Sequence, residues 1–220
     1  MAESPMSGMQ AQQRDWSPFV AHFTKAAAME TLRRAVTSRL TPENVRDGLI
    51  AADEESFDTL QSILGDGAIR GSLPPATLPQ RPRVCLSECT LPGLISHAER
   101  YGRCGLVFRK DAAFLRGGRP CLYVSEEVYR ELGMRTREAE ATEHTRRAFD
   151  LANIYRPPGF GRIQDYTHER EWRFQGDMEL NALEPVALIV PTPTYVPRVP
   201  ASVSSRVPVL PLTLLHRWGV

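Results

Sequence analysis

Residues 169–174, Glu-Arg-Glu-Trp-Arg-Phe, alternate with the period of two that belongs to an extended strand. Trp172 and Phe174 fall on one face, and Glu169, Glu171 and Arg173 on the other. An aromatic face of this kind anchors a strand in a core. It holds the opposite face, two carboxylates and a guanidinium, in register at about 7 Å per two residues. That polar face has two readings. One is a lattice of Glu–Arg ion pairs in solvent. The other is a cleft in which one carboxylate stays ionised to stabilise positive charge on a substrate. A second strand of the same design lies near the start of the chain at Phe19–Thr24, FVAHFT. There Phe19, Ala21 and Phe23 share one face, and Val20, His22 and Thr24 share the other. Two such strands side by side frame a groove lined by His22, Thr24, Glu171 and Arg173, and that arrangement is the expectation on which a site depends.

The rest of the chain supplies a body for these strands. With 220 residues, 42% hydrophobic and 24% charged, it is long enough for one sizeable core. Residues 1–16 are small, polar and Met-rich and read as a flexible arm, which leaves residues 17–220 as a single domain. A net charge of +1 gives no bulk attraction to nucleic acid or membrane. Local basic patches remain open, because Lys25 and Lys110 are the only lysines among 27 basic residues and arginine is the better fork for phosphate. Cys85, Cys89, Cys104 and Cys121 lack the paired spacing of a zinc site, and no metal is expected. Cys85, Cys104 and Cys121 sit in apolar segments and read as buried free thiols of a reducing compartment. No run approaches the roughly 18 apolar residues of a membrane span, and the first residues lack a basic, then apolar, leader. A cytoplasmic protein without membrane contact is expected.

Helical spacing of Met29, Leu32, Val36 and Leu40 predicts an amphipathic helix over 26–40. Thr41-Pro42-Glu43 reads as a cap and first turn opening a second, short helix. Phe57–Leu64 forms a third, stopped at Gly65-Asp66-Gly67. Four prolines in 71–83 predict a long surface loop. Strands follow at Val84–Glu88, Cys104–Phe108, Cys121–Ser125 and Val186–Val190, with helices at Leu91–Tyr101, Ala112–Leu115, Glu126–Leu132 and Arg137–Ile154. Residues 191–206, with four prolines, read as a looping connection, and Val207–Trp218 as a last strand and turn. This order predicts an α+β domain.

No phosphate-cradling glycine loop, nucleophile elbow, zinc helix or calcium loop is present. Of five histidines, His22 stands out, because it occupies the polar face of an anchored strand. The segments HFT at 22–24, LQSILGDGAIR at 60–70, VCLSE at 84–88, SHAERYGRCGLVF at 96–108, RPCLYV at 119–124 and EREWRF at 169–174 together resemble the AbiG-type abortive-infection family. The last of these is the most specific. That resemblance implies a role in phage defence, in some members as the antitoxin half of a two-gene system, and with it a cognate toxin or antitoxin partner.

The strand ending in HFT and the Glu169-x-Glu171 pair also resemble ADP-ribosyltransferases of the DarT type. What this second resemblance implies is a mixed, split sheet around an NAD cleft, with His22 near a ribose of NAD and Glu171 on the nicotinamide ribose. It makes Glu171, Glu169 and His22 the catalytic candidates. His22, Thr24, Ser87, Tyr101 and Arg173 become the cofactor-binding candidates, with Ser87 and Tyr101 imperfect matches to the middle motif. Cleaving the nicotinamide bond builds positive charge on the ribose, which a fixed carboxylate in a dry cleft stabilises. Glu169 would orient or deprotonate the acceptor, a nucleic acid or a protein. Arg173 would hold Glu171 ionised or bind a phosphate, and Arg70 and Arg83 are further phosphate candidates. Two other readings stay open: a non-catalytic antitoxin or regulatory partner, and a nuclease using Asp165, Glu169 and Glu171 around a divalent ion.

Overall fold

The computed structural model describes residues 17–35, 41–74, 81–88, 90–131, 142–155 and 170–217. Strand β1 (Phe19–Phe23) leads into helix α1 (Ala27–Ala35) and the long helix α2 (Pro42–Asp66). Then come β2 (Ala68–Ile69), β3 (Arg83–Ser87), α3 (Leu91–Tyr101), β4 (Gly105–Arg109), α4 (Lys110–Leu115) and β5 (Arg119–Pro120). The chain continues through β6 (Leu122–Ser125), α5 (Glu126–Glu131), α6 (Glu143–Leu151), β7 (Ala152–Tyr155) and β8 (Glu171–Gln175). It closes with β9 (Met178–Glu179), β10 (Ala187–Val190), a 3₁₀ turn (Pro193–Arg198), α7 (Ala201–Ser204), β11 (Val209–Pro211) and α8 (Leu212–Arg217).

Seven strands form one sheet in the order β11-β10-β4-β1-β3-β8-β5. The β10–β11 pair is parallel and the other pairs are antiparallel, so the sheet is mixed, as expected for an α+β chain. One face is apolar apart from His22 of β1. Val20, Val84, Leu86, Leu106, Phe108, Trp172 and Phe174 meet Phe57, Leu60 and Ile63 of α2 there. The other face is apolar over its middle, where Ala21, Phe23, Val107 and Ile189 pack on Leu94, Ile95 and Ala98 of α3. Over β3 and β8 this second face turns polar, and the parallel pair β6–β7 with its helices lies against it.

The sheet narrows at its centre. β1 and β4 stay in register from Phe19 opposite Arg109 to Phe23 opposite Gly105. β3 and β8 do so from Arg83 opposite Gln175 to Ser87 opposite Glu171. Between these halves, β1 and β3 pair only at Ala21 opposite Ser87.

Local chemistry explains most boundaries, including several that differ from expectation. Thr41 accepts the Asn44 N–H and Pro42 opens the first turn, as read, but the helix does not stop short. It runs through the expected third helix to Gly67, whose φ of 68° supplies the left-handed cap. Gly48 does not break it, because that glycine admits Leu32 of α1: a Cβ there would sit 2.5 Å from Leu32 Cδ2. Glu55 on α2 in turn accepts the Ala27 and Ala28 N–H groups that open α1. The first helix is described to Ala35, and its expected continuation lies outside the described residues.

The helix expected over 137–154 ends at Leu151. Ala152–Tyr155 are a strand beside β6, with Ala152 opposite Leu122, because that pairing buries Ala152 and Ile154 against Tyr129 and Phe149. Residues 193–198 and 201–204 form short helices where a loop was expected, and α8 follows β11 where a turn was expected. Cys104 and Cys121 are buried as expected, Cys85 is exposed, and Cys89 lies outside the described residues. Residues 1–16, read as a flexible arm, also lie outside the described residues. Among the described residues no helix is long and apolar enough to cross a membrane.

Candidate functional site

The polar half of the second face is built on the alternation read from the sequence. Trp172 and Phe174 enter the apolar core, so Glu171 and Arg173 point the other way and are buried beneath β7. Arg173 donates from Nε to Glu171 Oε1 at 2.9 Å and from Nη2 to Oε2 at 2.9 Å. Asn153 Nδ2 donates to the same Oε2 at 3.0 Å. The remaining arm of Arg173, Nη1, donates to the Asp150 and Ala152 carbonyls at 3.0 and 2.9 Å, which fastens β8 to the α6–β7 junction. At the head of β8 the Glu171 N–H donates to Tyr123 Oη on β6 at 2.9 Å. The polar face is therefore an ion-pair lattice, buried rather than solvated.

Burial alone would push the Glu171 carboxyl up. The Arg173 bonds and charge, with the Cys85 and Cys121 thiols, outweigh it and hold the carboxyl below its usual value. Burial likewise opposes the charge on Arg173, and Glu171 reverses that effect.

The expected groove does not form. β3 lies between β1 and β8, so the two anchored strands are not neighbours. Register carries Ala21 to Ser87 and Ser87 to Glu171, which puts those three on one face and His22, the next residue along β1, on the other. His22 Nδ1 lies 2.9 Å from the Cys85 carbonyl in the gap between β1 and β3. Burial, with Lys25 adding to it, lowers the pKa of His22 against the opposing effect of that bond.

Thr24 is 1% exposed, and its hydroxyl is committed to α2, 2.8 Å from the Ser56 carbonyl and 2.6 Å from Ser56 Oγ. It fastens β1 to the helix and faces no groove. Of the expected cofactor-binding residues, only Ser87 and Arg173 share the Glu171 face of β3 and β8. Tyr101 ends α3 beside His97, with ring centroids 6.1 Å apart, and its carbonyl accepts the Ala26 N–H. Glu169 and Asp165 lie outside the described residues. Arg70 pairs with Asp177 at 2.8 Å on the surface. Among the described residues no group of three or more His, Cys, Asp and Glu is placed to hold a metal ion.

Two participants were not legible beforehand. Asn153 and Asp150 lie in what reads as one charged helix; the change to a strand at Ala152 carries Asn153 to β8, and Asp150 reaches it from the last turn of α6. Asp150 gathers the edge of the lattice. Its carbonyl accepts Arg83 Nη1 at 2.8 Å, and its Oδ2 accepts Arg81 Nη1 at 2.8 Å and the Gln175 amide.

Residues 75–187 match the family described as "Putative abortive phage resistance protein AbiGi, antitoxin". The chain belongs to this family. The matched segment holds all of β3 through β9, and so Glu171, Arg173, Asn153 and Asp150, whereas β1 with His22 and Thr24 precedes it. No curated protein and no solved structure matches the chain.

Proposed function

We propose that this protein is the antitoxin half of an abortive phage-resistance system, a non-catalytic chain that restrains a cognate partner by binding it. The observation that carries the reading is the state of Glu171 within a family described as antitoxin. Both of its oxygens are taken by Arg173 and one also by Asn153, so the carboxylate works as an internal fastener. Held this way it secures β8 to β7 and leaves the outer surface of the α+β body for recognition. The test is co-expression with the cognate toxin of such a two-gene system. The chain alone is expected to leave growth unchanged, to relieve the toxin's effect and to co-purify with it. Toxicity of the chain alone, or failure to relieve the toxin, would count against the reading.

One observation favours a second reading, NAD-dependent transfer of ADP-ribose to a nucleic acid or protein. The sheet is nearly divided between β1 and β3, and His22 stands at the division, which fits the split sheet that the ADP-ribosyltransferase resemblance implies. In this reading Arg173 keeps Glu171 ionised for charge stabilisation on the ribose. Incubation with labelled NAD and cell extract separates the two. Label entering protein, DNA or RNA supports transfer; no incorporation together with no NAD binding leaves the antitoxin reading.

A further inference from the structure

At the far end of β3 and β8 from His22, a cavity of about 230 Å³ opens between the β8 edge, α6 and the turn after α4. Five of its lining residues are arginines, Arg83, Arg116, Arg119, Arg147 and Arg173, against the single carboxylate of Asp150. Two of these, Arg83 and Arg173, are 5% and 6% exposed and form the floor. Arg119 stands opposite Arg173 in register and is held there by the Phe114 and Gly118 carbonyls and by the Phe114 ring, 4.0 Å from its guanidinium. Arg116 and Arg147 are exposed and carry no ion pair among the described residues.

Like charges gathered around a concavity repel one another unless an anion joins them. Guanidinium forks select oxyanions of phosphate geometry. A bare anion does not account for the whole wall. Asp150 is 5% exposed, and its Oδ1 is buried without a hydrogen-bond partner, although Oδ2 is well bonded. A carboxylate residue in the wall calls for a donor, and the phosphoryl group of a phosphomonoester dianion has none to give, whereas a hydroxyl beside it does.

We propose that this cavity binds a phosphorylated sugar, with Arg116 and Arg147 taking the phosphoryl group at the mouth and the Asp150 carboxylate in the wall accepting a sugar hydroxyl. At about 230 Å³ the cavity is smaller than the usual pocket for a drug-sized ligand, which limits its occupant to a small molecule. The site is independent of the antitoxin reading, because it uses no partner surface.

The test is titration of the full chain with ribose 5-phosphate, inorganic phosphate and ribose at matched ionic strength, followed by calorimetry or amide shifts. Ribose 5-phosphate is expected to bind best, inorganic phosphate more weakly and ribose not at all. The exposed pair R116Q/R147Q, which leaves the buried lattice untouched, is expected to weaken ribose 5-phosphate by at least about tenfold. Absence of ribose 5-phosphate binding to the wild type, or equal binding by wild type and variant, would overturn the proposal. So would an inorganic phosphate affinity equal to that of ribose 5-phosphate, since the hydroxyl would then have no acceptor. Binding of a single-stranded oligonucleotide, lost in R116Q/R147Q, with none of the sugar phosphate, would overturn it in favour of a nucleic-acid surface.

Discussion

Arg173 grips Glu171 from two positions along the same strand, Nε on one carboxylate oxygen and Nη2 on the other, each at 2.9 Å. Burial beneath β7 removes the water that would compete for this pair. Breaking a buried pair from one side leaves an uncompensated charge. Arg173→Met is therefore expected to cost about 3–5 kcal/mol in denaturant unfolding. Combined with Glu171→Met the loss should fall short of the sum of the single changes, by about 1–3 kcal/mol. Strict additivity would show that the two side chains do not depend on each other.

Glu54 sets an acid limit on the fold. It accepts Arg198 at 2.8 Å through both oxygens and Tyr195 Oη at 2.7 Å, clamping the 3₁₀ turn to α2. The Arg198 and Tyr195 bonds bring its pKa from 4.5 down to about 2. A carboxyl depressed in the folded state contributes stability that is complete above its ordinary value and is lost as pH falls through the folded one. The expected outcome is stability that declines between about pH 4.5 and 2 and that declines less in Glu54→Gln. The pair is partly exposed, so salt should weaken the effect.

Thr24 is assigned to architecture. Thr24→Val removes a buried hydroxyl from Ser56 and the Cys104 carbonyl and is expected to cost about 1–3 kcal/mol. Gly102→Ala should be worse, because a Cβ there would lie 2.1 Å from the Thr24 carbonyl oxygen. Thermal unfolding of both variants checks this. A Thr24→Val protein of unchanged stability would reopen a ligand-binding role.

His22 is expected to be neutral at pH 7. Burial draws its pKa below the ordinary 6.5, so charging it opposes folding. Its contribution is complete above 6.5 and is lost as pH falls through the lowered value. Histidine titration followed by NMR should place its midpoint below 6.5. A midpoint at or above that value would mean that His22 has an anionic neighbour.

The sequence by itself determined the parts that depend on near neighbours in the chain. Alternation in FVAHF and EWRF gave two anchored strands, Thr41-Pro42 marked where a helix starts and Gly67 where one stops, though the two ends read as belonging to separate helices, and Leu91–Tyr101 read as the helix it is. These follow from side-chain period and backbone preference, both of which act within a few residues. Only the tertiary structure decided which strands lie side by side. Placing β3 between β1 and β8 turned a supposed groove of His22 and Glu171 into opposite faces of one sheet, because each step in register fixes the side on which a residue emerges. It also decided that Ala152–Tyr155 extend beside β6, that Asn153 and Asp150 reach β8, and that five arginines scattered from 83 to 173 meet around one cavity. Contacts that span so much chain leave no local period to read, since long-range packing rather than propensity selects them.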